Sequence, residues 1–206
     1  MGAVRGLEAP LSAHRPGGSA AVAVLRQQAL AAGALGEAER LCEYLHKACA
    51  ADGTLQASPG TRVEPAPLSE TPGLAFQAIM AGNRVRPASW KPEVVARAIP
   101  AYRDAIKKAT RPATAAGMVC AFADLHLQTR NPDAAAVVYE TTDWLCALQY
   151  AAGYPRNPNW AGGFRDIDNG TPRDAEPGFD AAACLSALGS AYMVTARNAD
   201  VARADR

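Results

Sequence analysis

Two short turns constrain this chain most. Arg130-Asn131-Pro132-Asp133-Ala134-Ala135 recurs as Arg197-Asn198-Ala199-Asp200-Val201-Ala202, and each copy follows one apolar helical stretch and precedes the next. A turn repeated at equivalent places between helical stretches marks a helical-hairpin unit. One hairpin cannot bury both of its faces, so successive hairpins must stack. A looser parallel points the same way. Tyr44-Leu45 ahead of Asp52-Gly53 matches Trp144-Leu145 ahead of Gly162-Gly163. The unit therefore has a short turn on one side and a longer, glycine-rich loop on the other.

Alanine is abundant and β-branched residues are sparse, which favours an all-α fold. Apolar periodicity and cap signals predict helices over about 20–32, 37–51, 72–82, 92–106, 112–129, 133–151 and 179–196, with another beginning after Asp200. Ser19 is a fitting N-cap, and Pro72, Pro92 and Pro112 suit first helical positions. Pro100 falls inside one of these stretches and is expected to kink or split it, since it removes a backbone donor. Residues 1–18, with Pro10, Pro16, Gly17 and Gly18, read as a flexible lead-in. Residues 19–206 read as one helical-repeat domain with long loops at 53–71 and 152–178.

The 206 residues are 49% hydrophobic and carry 21 basic and 20 acidic side chains, a formal net charge of +1. No long run of one sign appears, so bulk charge favours neither nucleic acid nor an anionic membrane surface. No apolar stretch is long enough to span a bilayer. The five cysteines follow no CxxC pattern and lie within apolar helical patterns, as buried free thiols do in a reducing compartment. The expectation is a cytoplasmic protein. The basic residues at 84, 86, 91, 107, 108 and 111 are expected to form a solvated face.

Trp144-Leu145, Gln149, and then Trp160, Gly162, Gly163 and Phe164 resemble the QW-type repeat of terpenoid cyclases and protein prenyltransferases. The resemblance covers roughly residues 112–206 and is weaker over 35–55. The loop here is longer than in the family's pattern. The resemblance implies an α/α toroid of concentric helices, with an active site at the mouth of the inner barrel. It also implies that Gln149 and the aromatics clamp a helix end to the following loop. With about four hairpins, fewer than a closed ring needs, the expectation is an incomplete toroid or a partial chain.

The chemistry is less defined. Asp166-Ile167-Asp168-Asn169-Gly170 resembles the acidic motif of squalene-type cyclases, but Asn169 stands where a further Asp belongs, and Asp or Asn before Gly also makes an ordinary turn. Asp143, with Asp124 and Glu140 near it in the pattern, is a further candidate acid or base. Tyr154, Trp160 and Phe164 are candidate platforms for a sugar ring, with Asp166 and Asp168 as hydroxyl acceptors. Cys42, His46 and Cys49 share a face of one predicted helix, but zinc wants a fourth ligand or a bound water, and the family's ligand set is not matched. No cofactor is therefore expected. No GxSxG, HExxH, P-loop or GxGxxG occurs. Two functions stand open. One is a non-catalytic scaffold or binding domain for a small molecule or carbohydrate. The other is an enzyme acting on an isoprenoid or a polysaccharide. Oligomeric state is open as well.

Overall fold

The computed structural model of the chain describes residues 35–56, 69–109, 111–168, 170–178 and 180–200. The expected lead-in and the helix over 20–32 lie outside these residues, as does the segment beginning after Asp200. Six helices form the described fold: α1 (Leu35–Lys47), α2 (Thr71–Val85), α3 (Trp90–Ile106), α4 (Pro112–Thr129), α5 (Pro132–Leu148) and α6 (Asp180–Arg197). The long loop between α5 and α6 holds a 3-10 turn (Pro158–Trp160) and a small antiparallel hairpin of β1 (Asp166–Asp168) and β2 (Thr171–Arg173).

Helix ends follow local chemistry. Proline stands in the first turn of α2, α4 and α5, where its missing N–H costs nothing. Asn131 caps α5 by accepting from the Ala134 amide. Arg130 closes α4 in the left-handed conformation, φ 63°, and its amide returns to the His126 carbonyl.

Helix α4 is the centre of the molecule, with twelve of its eighteen residues buried. On one side α2 and α6 run parallel to it. The register is set by Gln77 donating to the Gly117 carbonyl and Asn83 to Gln128 between α2 and α4. Between α4 and α6 it is set by Arg111 pairing with Asp180, and by His126 meeting Asn198. Helices α3 and α5 pack against α4 as well. The main core runs through Phe76, Ile79, Val94, Met118, Phe122, Val138 and Val194, and a smaller cluster of Ala38, Cys42, Ala75 and Ala78 seats α1 on α2.

The two glycine-rich loops repeat at the level of backbone hydrogen bonds. After α1, the Gln56 amide donates to the Ala48 carbonyl, Ala50 to Thr54, and Gly53 to Ala50. After α5, Arg165 donates to Leu148, Tyr150 to Gly163, and Gly162 to Tyr150. Cys49 pairs with Leu55 as Gln149 pairs with Phe164. The turning glycines are alike, φ 86° at Gly53 and 85° at Gly162, a region that a side chain rarely enters. The second loop is the same knot with an insertion inside it.

Three expectations are corrected. Helix α3 is not split at Pro100, because Pro100 lies on the exposed face, where water can take the carbonyl it leaves free. Helix α1 stops at Lys47 rather than Ala51, because Ala48–Gln56 is used in the knot just described. Lys91 does not belong to a solvated basic face. It is fully buried at the α2–α3 turn, donating to both carboxylate oxygens of Glu39 and to the carbonyls of Gly82 and Arg86.

Candidate functional site

A groove of about 430 Å³ runs between α2, α4 and α6. That size falls in the range of small-molecule sites. Leu74, Ala113, Gly117 and Ala183 give it an apolar floor, and Glu70, Gln77, Arg84, Asp124, Asp180, Ser186 and Ser190 supply polar groups. Close approach of α2 and α4 shapes it. A Cβ on Gly73 would stand 2.5 Å from the carbonyl carbon of Gly117, so the two backbones touch with no side chain between them.

The charges of the groove are arranged in pairs that bridge helices. Arg84 of α2 binds Asp124 of α4. Arg111, just ahead of α4, binds Asp180 of α6 and lies 3.9 Å from Glu70 at the start of α2. Hydrogen bonding to Asp180 and the charge of nearby carboxylates, Asp166 among them, raise the Arg111 pKa above the usual guanidinium value. A carboxylate has about four acceptor positions, so each paired acid can still accept from a ligand hydroxyl.

The aromatic loop is a second assembly. Tyr150 is buried, and its ring packs against Tyr154 at 4.8 Å and Trp160 at 5.4 Å between centroids. Arg165 lies over Tyr150 and Tyr154. Asp174 gathers the loop by accepting from Tyr154 and Arg156, with Arg165 Nε at 3.5 Å. The hydrogen bond to Asp174 raises the Tyr154 pKa. The Tyr150 hydroxyl donates to the Ala175 carbonyl and accepts from the Ala175 amide. Gln149 donates to the Gly162 carbonyl at 2.9 Å, and Gly163 sits so close to Pro177 that a Cβ would overlap its ring. Every one of these contacts holds the loop to itself and to the end of α5.

The candidates from sequence are thereby dispersed. Tyr154 and Trp160 are partners in the aromatic assembly, and Phe164 lies in the bridge with Gln149 and packs on the core. Asp166 and Asp168 are on β1, with Asp166 3.6 Å from Arg173, and Asp168 is exposed. Asp143 is exposed on α5. Glu140 is held below its usual pKa by Arg103, on a separate α3–α5 groove that Trp144 also lines. Cys42 is buried against Gly82, His46 stacks on Trp90 at 4.4 Å, and the Cys49 thiol donates to the Leu45 carbonyl. Burial pushes both thiols up to about 11. Among the described residues no group of three His, Cys, Asp or Glu side chains is set to hold a metal ion. No helix among them is long and apolar enough to cross a membrane.

Sequence reasoning missed Arg84, Arg111, Asp180, Ser186 and Ser190 as one groove. The signal for it in the sequence was the pair of matched turns, one following α4 and one following α6. No protein-family model matches the chain, and neither a curated protein nor a solved structure matches it.

Proposed function

We propose that this chain is a helical-hairpin binding module of the α/α-toroid type, similar to the terpenoid cyclase and prenyltransferase superfamily, and that it binds a small hydroxylated ligand, a sugar or a related polyol, between α2, α4 and α6. A cytoplasmic setting goes with that reading. The observation that carries it is the groove's lining, in which ion-paired acids and serine hydroxyls flank an apolar floor. Such a lining offers fixed acceptors and donors to ligand hydroxyls and an apolar strip to a ring face. The recurrence of one backbone knot after α1 and after α5 supports the repeat. The aromatic loop serves as a clamp, since its rings, Arg165 and Asp174 bind one another.

A panel of mono- and oligosaccharides, with isoprenoid diphosphates as the contrasting class, tests this by thermal shift. A saccharide should raise the melting temperature of the wild type and leave Ala183→Trp, whose indole would fill the groove, unchanged. A shift that persists in Ala183→Trp, or no saccharide shift at all, overturns the assignment.

The second reading is an enzyme acting on an isoprenoid or a polysaccharide, with the half-buried Asp166 of β1, 3.6 Å from Arg173, as its candidate acid or base. Turnover of either substrate class that is lost in Asp166→Asn and kept in Asp168→Asn would establish it in place of the binding module.

A further inference from the structure

The α3–α5 groove has a volume of about 430 Å³ and shares no lining residue with the groove between α2, α4 and α6. Helix α3 supplies Arg103, Ile106 and Lys107, and α5 supplies Val137, Glu140, Thr141 and Trp144. On each helix these residues stand three or four apart, so each set forms a single face. Arg103 and Glu140 bridge the two helices as a pair, with Arg103 Nε donating to a Glu140 carboxylate oxygen at 2.9 Å.

Thr141 stands out in this lining. Six polar side chains are buried among the described residues, Lys91, Thr114, His126, Thr141, Thr142 and Thr195. Five of them are hydrogen-bonded. Thr141 is 3% exposed, and its Oγ1 has no partner. Thr142 and Thr195 each donate to the carbonyl four residues back, a bond that Thr141 does not make. A buried hydroxyl left unpaired costs stability, and valine would fill the same space without that cost. Threonine in a helix divides between two χ1 positions. Because Thr141 lines the groove, that rotation can offer its hydroxyl to a group seated there.

Charge and shape narrow the ligand. Two cations, Arg103 and Lys107, face one carboxylate, Glu140, so the lining carries one positive charge. Arg103 and Glu140 satisfy each other. Lys107, one turn beyond Arg103, is exposed and forms no ion pair among the described residues, which leaves its donors to a ligand. Hydrogen bonding from Arg103 holds Glu140 below its usual pKa, with Lys107 adding its charge, so Glu140 stays ionised at neutral pH and opposes a second negative charge. A single carboxylate therefore balances the site, whereas a phosphate dianion does not. Ile106 and Val137 make apolar walls, and the half-buried indole of Trp144 offers a flat surface to a planar ring.

We propose that the α3–α5 groove is a second binding site and that it takes a small aromatic carboxylate. The ring lies against Trp144 between Ile106 and Val137, and the carboxylate accepts from the Lys107 ammonium and the Thr141 hydroxyl.

Calorimetric titration of the full chain with benzoate and with indole-3-carboxylate tests this, with neutral indole and phenyl phosphate as contrasts. At least one of the carboxylates should bind, and both contrasts should bind more weakly. Lys107→Gln and Thr141→Val should each raise the Kd about tenfold, while Thr141→Ser, which keeps the hydroxyl, should stay near wild type. Without ligand, Thr141→Val should melt at or above the wild-type temperature, so that its lost affinity is not a loss of fold. Ala183→Trp fills the other groove and should leave carboxylate binding unchanged, which separates this site from the polyol site. The proposal is overturned if neither carboxylate binds at millimolar concentration, if binding survives Lys107→Gln and Thr141→Val, if Ala183→Trp abolishes it, or if phenyl phosphate binds more tightly.

Discussion

Asn131 and Asn198, one from each copy of the repeated turn, meet on opposite nitrogens of a single buried imidazole. The Asn131 carbonyl lies 2.8 Å from His126 Nδ1, and the Asn198 side-chain oxygen lies 3.0 Å from Nε2. A backbone carbonyl can only accept, so Nδ1 carries a hydrogen. Asn198 also meets the Tyr139 hydroxyl at 3.1 Å, and since a hydroxyl can donate or accept, the amide can present either end to Nε2. The two turns of matching sequence are thus joined through α4. His126→Ala should destabilise the fold by about 1–3 kcal/mol, because it removes a buried ring together with both of its hydrogen bonds. His126→Phe keeps the bulk and should still lose most of that amount. Urea unfolding of both variants is the measurement. A Phe variant as stable as wild type would mean the ring serves only as filling.

Gly73 and Gly117 face each other, yet their spaces are unequal. A Cβ on Gly73 would press into the α4 backbone at 2.5 Å, whereas a Cβ on Gly117 would meet the Gly73 Cα at an ordinary 3.8 Å. Gly73→Ala should therefore force α2 from α4 and cost about 1–3 kcal/mol. Gly117→Ala should be neutral or stabilising by about 0.5–1 kcal/mol through helix propensity. Thermal melts that give the two variants the same sign would contradict this packing.

The helical scaffold was largely legible because its punctuation is local. Pro112 marks the start of α4, and Asn131-Pro132 marks the turn into α5. The groove was not legible, because Arg84, Asp124 and Asp180 come from three helices, and no local pattern records that α2 and α6 flank α4. The Asn169-Gly170 turn was expected, but the pairing of Asp168 with Thr171 beyond it depends on strands too short to show alternation. Pro100 and Lys91 misled for one shared reason. Residue type sets an average environment, whereas the exposed side of α3 in one case and a ring of carbonyls in the other set the actual one.

Lys91 closes the C-terminal end of α2. Its ammonium accounts for two carbonyls and for the Glu39 carboxylate of α1, so one side chain ties α1, α2 and α3 together. Lys91→Met would leave an acid and two carbonyls facing an apolar chain, and should cost about 3–5 kcal/mol. Lys91→Met combined with Glu39→Gln should recover part of that loss, because no buried charge is then left alone. Denaturant melts of the single and double variants measure the coupling. Strictly additive losses would mean that Lys91 and Glu39 do not act as a pair.

Buried thiols give the fold an alkaline limit. Burial pushes Cys42 up to about 11 and Cys184 up to about 12, from 9.0, while Tyr102 rises from 10.0 to about 12. An acid whose folded pKa is raised keeps its proton longer in the folded state than in the unfolded one. Below pH 9 both states hold the proton, and stability does not depend on these groups. Between pH 9 and 12 the unfolded chain binds fewer protons, so stability must fall as pH rises. Urea midpoints measured under reducing conditions should be level from pH 7 to 9 and then decline. Cys184→Ala should flatten the decline, although removing sulfur from the core lowers the plateau. At pH 8, a thiol reagent should label exposed Cys146 quickly and reach Cys42 and Cys184 only on unfolding. Rapid labelling of Cys42 in the native protein would show that α1 opens from α2 far more readily than its packing on Ala75 and Ala78 implies.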